Sequence, residues 1–179
     1  KPAAKPLLYI PYEIGRREFH GRLLVAVEAA ARGFRVFLGH KSKVDRLALR
    51  NMSKGGIYFS KAVPRPQDRV PNSLASAGFR IVAQEEETNY LQTDYRDWFQ
   101  SRPSTAFAGD LDRFFCWGTD EYAFLKEHTI QRGGSLVLTG SPRTCFWGDL
   151  GRQYFGDEIE SIQNGGRWLV FVSNFASGN

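Results

Sequence analysis

The chain has little sulfur and little histidine: of 179 residues, two are Cys, one is Met and three are His. Two cysteines, Cys116 and Cys145, are too few for a disulfide framework and suit a reducing, cytoplasmic compartment. The histidines and cysteines show none of the spacings that hold zinc, so no metal is expected. Apolar runs are short, and none approaches the ~20 residues of a membrane-spanning helix. The opening stretch KPAAKPLLYIPYE breaks its apolar run at Pro11 and Glu13 and does not read as a signal peptide. Neither GxGxxG nor GxxxxGKS/T occurs, which sets aside a standard dinucleotide fingerprint and a Walker loop. Lipidation motifs, internal repeats and low-complexity tracts are missing as well.

What remains is the material of a globular domain. Hydrophobic residues make up 42% and charged residues 24%, enough apolar content for a core and too much for a disordered chain. The net charge of +5 is unevenly spread: residues 1–54 carry twelve Lys/Arg against four Asp/Glu, and the rest of the chain is slightly acidic. A basic first third suits an anionic partner, such as a phosphate, an acidic glycan or a lipid headgroup. A solvated basic face accounts for the same count. Nucleic acid is not expected, because no recognised binding module accompanies the charge.

Strand and helix patterns alternate. LLYIPYE (7–13) reads as a buried strand. Phe19, Leu23, Val27 and Ala30 recur at helical spacing over 17–32, and Gly33 ends that helix. FRVFLGH (34–40) is the next strand, completing a βαβ unit with parallel strands. A helix over 43–52, a strand over 55–62, a proline-bearing loop over 64–72, a short helix over 72–77 and a strand over 78–87 follow. Residues 89–101 read as an aromatic-rich helix and 112–118 as a fifth strand. Thr119 opens a helix with acids in its first turn, 135–142 is a sixth strand and 166–175 a seventh. The expected class is α/β: a Rossmann-like, mostly parallel sheet with helices on both faces. The last strand can close this sheet or begin a further domain, and the helix and Gly165-Gly166 pair before it favour a domain crossing. The division is therefore residues 1–165 as one domain and residues 166–179 as the first strand of another.

Ligands of open parallel sheets bind beyond the carboxyl ends of the strands. The candidates are therefore the polar residues that follow each strand. After the first strand, EIGRREFHG (13–21) places a glycine turn at a helix start, where free N–H groups and the helix dipole suit an anion. Arg16 and Arg17 add donors that grip phosphate or carboxylate; salt bridges among Glu13, Arg17 and Glu18 are the structural alternative. His20 is a candidate base. His40 and Lys41 follow the second strand, and Gly140 and Arg143 the sixth. Glu85, Glu86 and Glu87 close the fourth strand, where mutual repulsion could raise one carboxyl's pKa and equip it as a general base on a sugar hydroxyl. Asp110-Leu-Asp112 is read as turn chemistry rather than a metal–nucleotide motif, and both cysteines as unreactive.

Five segments resemble the N-terminal half of bacterial surface-carbohydrate biosynthesis proteins, glycosyltransferases of the GT-B type. They are residues 10–41, GFRIVAQEEE (78–87), DRFFCWG (112–118), TGSPR (139–143) and WLVFVSNF (168–175). TGSPR also resembles the Gly-x-Pro-Arg element of glycerophosphotransferases that assemble teichoic acids. Two residues beyond its Pro-Arg those relatives often carry an acid; here the position is Cys145, so no role for that acid carries over. The resemblance implies an acceptor-side domain whose partner domain, outside this chain, holds a nucleotide-sugar donor. It implies sugar transfer to a glycan or lipid-linked acceptor, no cofactor, and contact with the inner membrane face through the basic first third. By position it makes Glu13, Arg17, Glu18, Glu86 and Glu87 cleft-facing, with Glu13, Glu86, Glu87 and His20 as catalytic candidates. Arg16, Arg17, Glu18, His40, Gly140 and Arg143 are the substrate-binding candidates. On this account the chain by itself is inactive. Two other readings stay open: a sugar-nucleotide epimerase on the same plan, and a non-catalytic α/β module that binds an anionic glycan or a protein.

Overall fold

A computed structural model describes residues 4–64, 67–85, 111–128 and 136–166. The chain divides into two compact units, residues 1–144 and 145–179. The first contains strands β1 (Leu7–Tyr12), β2 (Arg35–His40), β3 (Ile57–Ser60), β4 (Arg80–Ala83), β5 (Leu111–Cys116) and β6 (Leu136–Leu138). Its helices are α1 (Gly15–Ala31), α2 (Lys41–Arg50), α3 (Arg69–Ser76) and α4 (Thr119–His128). The six strands form one sheet in the order β2-β1-β3-β4-β5-β6, and every neighbouring pair is parallel. The fold is α/β and Rossmann-like, as the alternation of patterns predicts.

Side-chain alternation along β1 explains the two layers. Leu8 and Ile10 face α1, where they pack with Ala26 and with Phe59 of β3. Tyr9 faces the other way, into a cluster with Val44 and Ala48 of α2, Leu74 of α3, Tyr58 and Ile81. Both sides of β1 are therefore dry, which is why LLYIPY reads as an unbroken apolar run. A third cluster joins Ala83, Phe114 and Cys116 to Leu125 of α4. Ala83 points the same way as Ile81, so α4 covers the face that α2 and α3 cover. Each buried Leu, Ile or Phe contributes roughly 1.5–3 kcal/mol of transfer free energy, and these three clusters carry the sheet.

Several element boundaries differ from expectation, each for a local reason. α3 begins at Arg69, inside the stretch expected to be loop, because Pro71 falls in the first turn, where an N–H would have no helical partner anyway. β4 ends at Ala83, so Gln84 and Glu85 lie beyond the ladder. Asp112 is not in a turn but inside β5. Its Oδ2 accepts the Ile81 N–H at 2.9 Å, beside the register shift between Ile81 and Val82. The expected helix over 89–101 and the expected seventh strand over 166–175 lie outside the described residues, apart from Gly166.

A 3₁₀ turn (Thr144–Trp147) begins at the last residue of the first unit, and the second unit holds α5 (Asp149–Tyr154) and α6 (Gly156–Asn164). Tyr154 packs edge-on to Phe146 and Phe155 at centroid distances of 5.3 and 4.7 Å, and Phe146 and Phe155 lie tilted at 5.9 Å. Gly151 sits so close to the Phe146 carbonyl that no side chain fits there.

Candidate functional site

The strand order fixes where a ligand would go. From β1 the chain steps outward to β2, then returns past β1 to β3, so the direction of winding reverses between β1 and β3. The helices that leave β1 and β3 diverge there and open a crevice at the carboxyl ends of the strands. A cavity of about 370 Å³ occupies that place. Pro11, Tyr12 and Glu13 supply one wall, and Tyr58, Ser60, Lys61 and Ala62 another. Lys41 closes it from the start of α2, and residues 67–71 from the start of α3.

The charges that the described residues bring to the cavity are balanced. The Lys61 ammonium donates to Glu13 Oε2, joining the tips of β3 and β1. Lys41 Nζ donates to Asp45 Oδ2 at 2.9 Å, one helical turn away. The other oxygen of Asp45 accepts the Tyr58 hydroxyl at 2.6 Å. Burial, then the adjacent Asp45 carboxylate, pushes the Tyr58 phenol far above its ordinary range, so it stays a donor at any working pH. Arg69 and Asp68 stand side by side where α3 begins.

The β1–α1 turn behaves differently from the ligand anchor its sequence suggests. Glu18 is fully buried, and its carboxylate serves the chain itself. Oε2 accepts the Glu13 N–H at 2.7 Å and Oε1 accepts from Arg17 at 2.9 Å. Burial alone would raise the Glu18 pKa, but these hydrogen bonds and the nearby Lys61 ammonium outweigh it and hold the pKa below the usual range. The anion at this helix start is thus Glu18, which fixes the backbone of Glu13 at the cavity wall. Arg22, one turn further on, lies 4.2 Å over the Phe59 ring in a cation–π contact.

At the tips of β4, β5 and β6 the described polar groups are bound within the chain. Gln84 Nε2 donates to the Gly140 carbonyl at 2.8 Å. Glu85 is buried; its Oε1 accepts the Val63 N–H at 3.1 Å and its backbone carbonyl accepts the Trp117 indole N–H at 2.6 Å. Glu121, near the start of α4, accepts the Trp117 backbone N–H at 2.6 Å. Burial, with the Glu85 carboxylate adding to it, raises the Glu121 pKa to about 7 against the opposing effect of the Trp117 hydrogen bond. Burial also raises the Cys116 thiol to about 12, with the Glu121 charge adding to it, so this cysteine is inert near neutral pH. Gly140 has φ +79°, a left-handed turn that favours glycine, and it carries the chain into Ser141 and Arg143.

Two of the sequence motifs meet in space. A Cβ at Gly21 would sit 3.0 Å from Arg143 Cγ and 3.3 Å from the Arg143 backbone nitrogen, so the glycine of EIGRREFHG makes room for the arginine of TGSPR. The Arg143 guanidinium lies 6.0 Å from the Trp117 ring centre.

Among the described sequence candidates, Glu13 and Lys41 line the cavity. Arg16 is exposed on the first turn of α1, and Arg17 is committed to Glu18. The His20 ring packs edge-on to Phe19, and His40 is exposed with Nδ1 3.0 Å from the Ser42 hydroxyl. Gly140 and Arg143 belong to the β4–β6 end. Glu86 and Glu87 lie outside the described residues. The residues that sequence reasoning did not single out are Lys61, Asp45 and Tyr58. Lys61 follows β3 as Glu13 follows β1, so the strand-tip rule finds it once applied to the third strand. Among the described residues no group of three or more acids, histidines or cysteines is arranged to hold a metal ion, and no helix is long and apolar enough to cross a membrane. Comparison with family models, with curated proteins and with solved structures finds no match.

Proposed function

We propose that this chain is the acceptor-side domain of a GT-B-type glycosyltransferase of surface-polysaccharide assembly. The observation that carries the reading is the cavity at the β1–β3 reversal with Glu13 in its wall. The likeness of residues 10–41 to surface-carbohydrate biosynthesis proteins supports the same assignment. In this reading a sugar hydroxyl of a glycan or lipid-linked acceptor enters the cavity. Glu13 takes its proton as the hydroxyl oxygen bonds to the anomeric carbon of a nucleotide sugar, and the nucleotide leaves with the bonding pair of the broken C–O bond. Lys61 orients the Glu13 carboxylate, and Glu18 fixes its backbone. The donor belongs to a domain that residues 1–165 do not include, and 166–179 would begin it.

The test is transfer of a labelled sugar by the intact protein. Glu13→Ala is expected to lower the transfer rate by about a hundredfold or more, the usual range for losing a general base. Glu13 is exposed enough for the melting temperature to hold. Wild-type turnover in that variant would remove the assignment.

A further inference from the structure

The basic first third of the chain suggests an anionic ligand, but the cavity itself is arranged otherwise. Lys61 is engaged by Glu13, Lys41 by Asp45, and Arg69 stands beside Asp68. Among the described residues, three cations stand with three carboxylates within or directly behind the wall. An anion entering here would have to draw an ammonium away from its carboxylate, and would meet the other two acids as like charges. A hydroxyl-bearing ligand meets no such conflict. Each hydroxyl both donates and accepts, so one ring can accept from Lys41 and Lys61 and donate to Glu13 while the pairs stay intact. The walls also include apolar surface from Pro11, Val70 and Pro71 for the C–H face of a ring. At about 370 Å³ the space lies at the small end of ligand-sized pockets.

From this arrangement we infer that the cavity seats a neutral polyhydroxylated unit, a sugar ring without phosphate or carboxylate, between the Lys61–Glu13 and Lys41–Asp45 pairs. The inference rests on the glycosyltransferase reading and narrows it. The acceptor's ring is uncharged where it is held, and any charge on the acceptor lies outside this cavity.

Amide chemical shifts of the chain, titrated with neutral methyl hexosides and N-acetylhexosaminides and separately with glucose 6-phosphate, test it. The expected result is saturable shifts at Tyr12, Lys41 and Lys61 with at least one neutral glycoside, and little change in affinity with added salt. Lys41→Met and Lys61→Met are each expected to weaken that binding by about fivefold to tenfold, ~1–1.4 kcal/mol. Both side chains are at least a quarter exposed, and the variants should melt like the parent. Glucose 6-phosphate binding about tenfold tighter and weakening steeply with salt would overturn the inference in favour of an anion site. Silence of every neutral glycoside at the cavity would overturn it too. Unchanged sugar transfer by the intact protein carrying both Lys→Met substitutions would also overturn it, and would leave the transferase reading standing. Binding as expected, with no transfer to any acceptor, would support this site and remove that reading.

Discussion

At the β1–β3 end of the sheet, polar side chains stand in ion pairs around a cavity. At the β4–β6 end, equally polar side chains are buried and bound to backbone. Glu13 and Lys61 illustrate the first case, Glu85 and Glu121 the second. Both ends obey the rule that strands of a parallel sheet finish in polar residues. The difference comes from topology: among the described strands the chain changes direction between β1 and β3, and there the helices part. From β3 to β6 the strands follow one another in one direction, and the described polar groups at the tips of β4, β5 and β6 bind one another and the backbone.

Two buried carboxylates sharpen the contrast. Breaking Glu18 has the largest expected effect. Glu18→Ala removes the acceptor of the Glu13 N–H and the carboxylate beside Arg17, and is expected to cost about 3 kcal/mol in denaturant unfolding, within the usual range for breaking a buried pair. Because the folded pKa of Glu18 is held down, its contribution is present above the ordinary carboxylate range and is lost as pH falls through the folded value. A variant that unfolds at the parental denaturant midpoint would show that the turn holds without it.

Glu121 runs the other way. With a folded pKa of about 7 against an ordinary value near 4.5, the folded state binds more protons than the unfolded chain between those values. Stability therefore falls as pH rises across that interval and levels off above it. Glu121→Gln keeps an acceptor for the Trp117 N–H and removes the buried charge. It is expected to gain roughly 2 kcal/mol at pH 8 and almost nothing at pH 4. A pH-independent difference between variant and parent would refute the buried-charge account.

Gly21→Ala tests the contact between the two motifs. Helix propensity favours Ala by ~1 kcal/mol, and crowding against Arg143 costs ~1–3 kcal/mol. A net loss of about 1 kcal/mol is expected, with a change in Trp fluorescence as Arg143 shifts over Trp117. A stabilised variant with unchanged fluorescence would mean that Arg143 gives way freely. The smallest effect belongs to Lys41→Met, whose ion pair joins a partly exposed ammonium to a buried carboxylate and is worth at most ~1 kcal/mol in thermal unfolding.

The β1–α1–β2 unit was legible because its signals are local: an apolar run, a helical repeat and Gly33 as a stop. α3 was read short because prolines punctuate its entry, and a proline in a first turn looks the same in sequence as one in a loop. The site was legible only in part. Glu13 follows its strand directly and could be found by rule. Asp45 sits mid-helix, and its partnership with Tyr58 crosses thirteen residues, so no spacing announces it.

Sequence alone determined the alternation of strands and helices, the parallel sheet and the supply of polar residues at one edge, because periodicity and chain connectivity act residue by residue. Tertiary structure alone decided which of those residues face a cavity. That depends on the order in which strands lie side by side, and polar groups thirteen to forty-eight residues apart are brought together or kept apart only when the sheet is assembled.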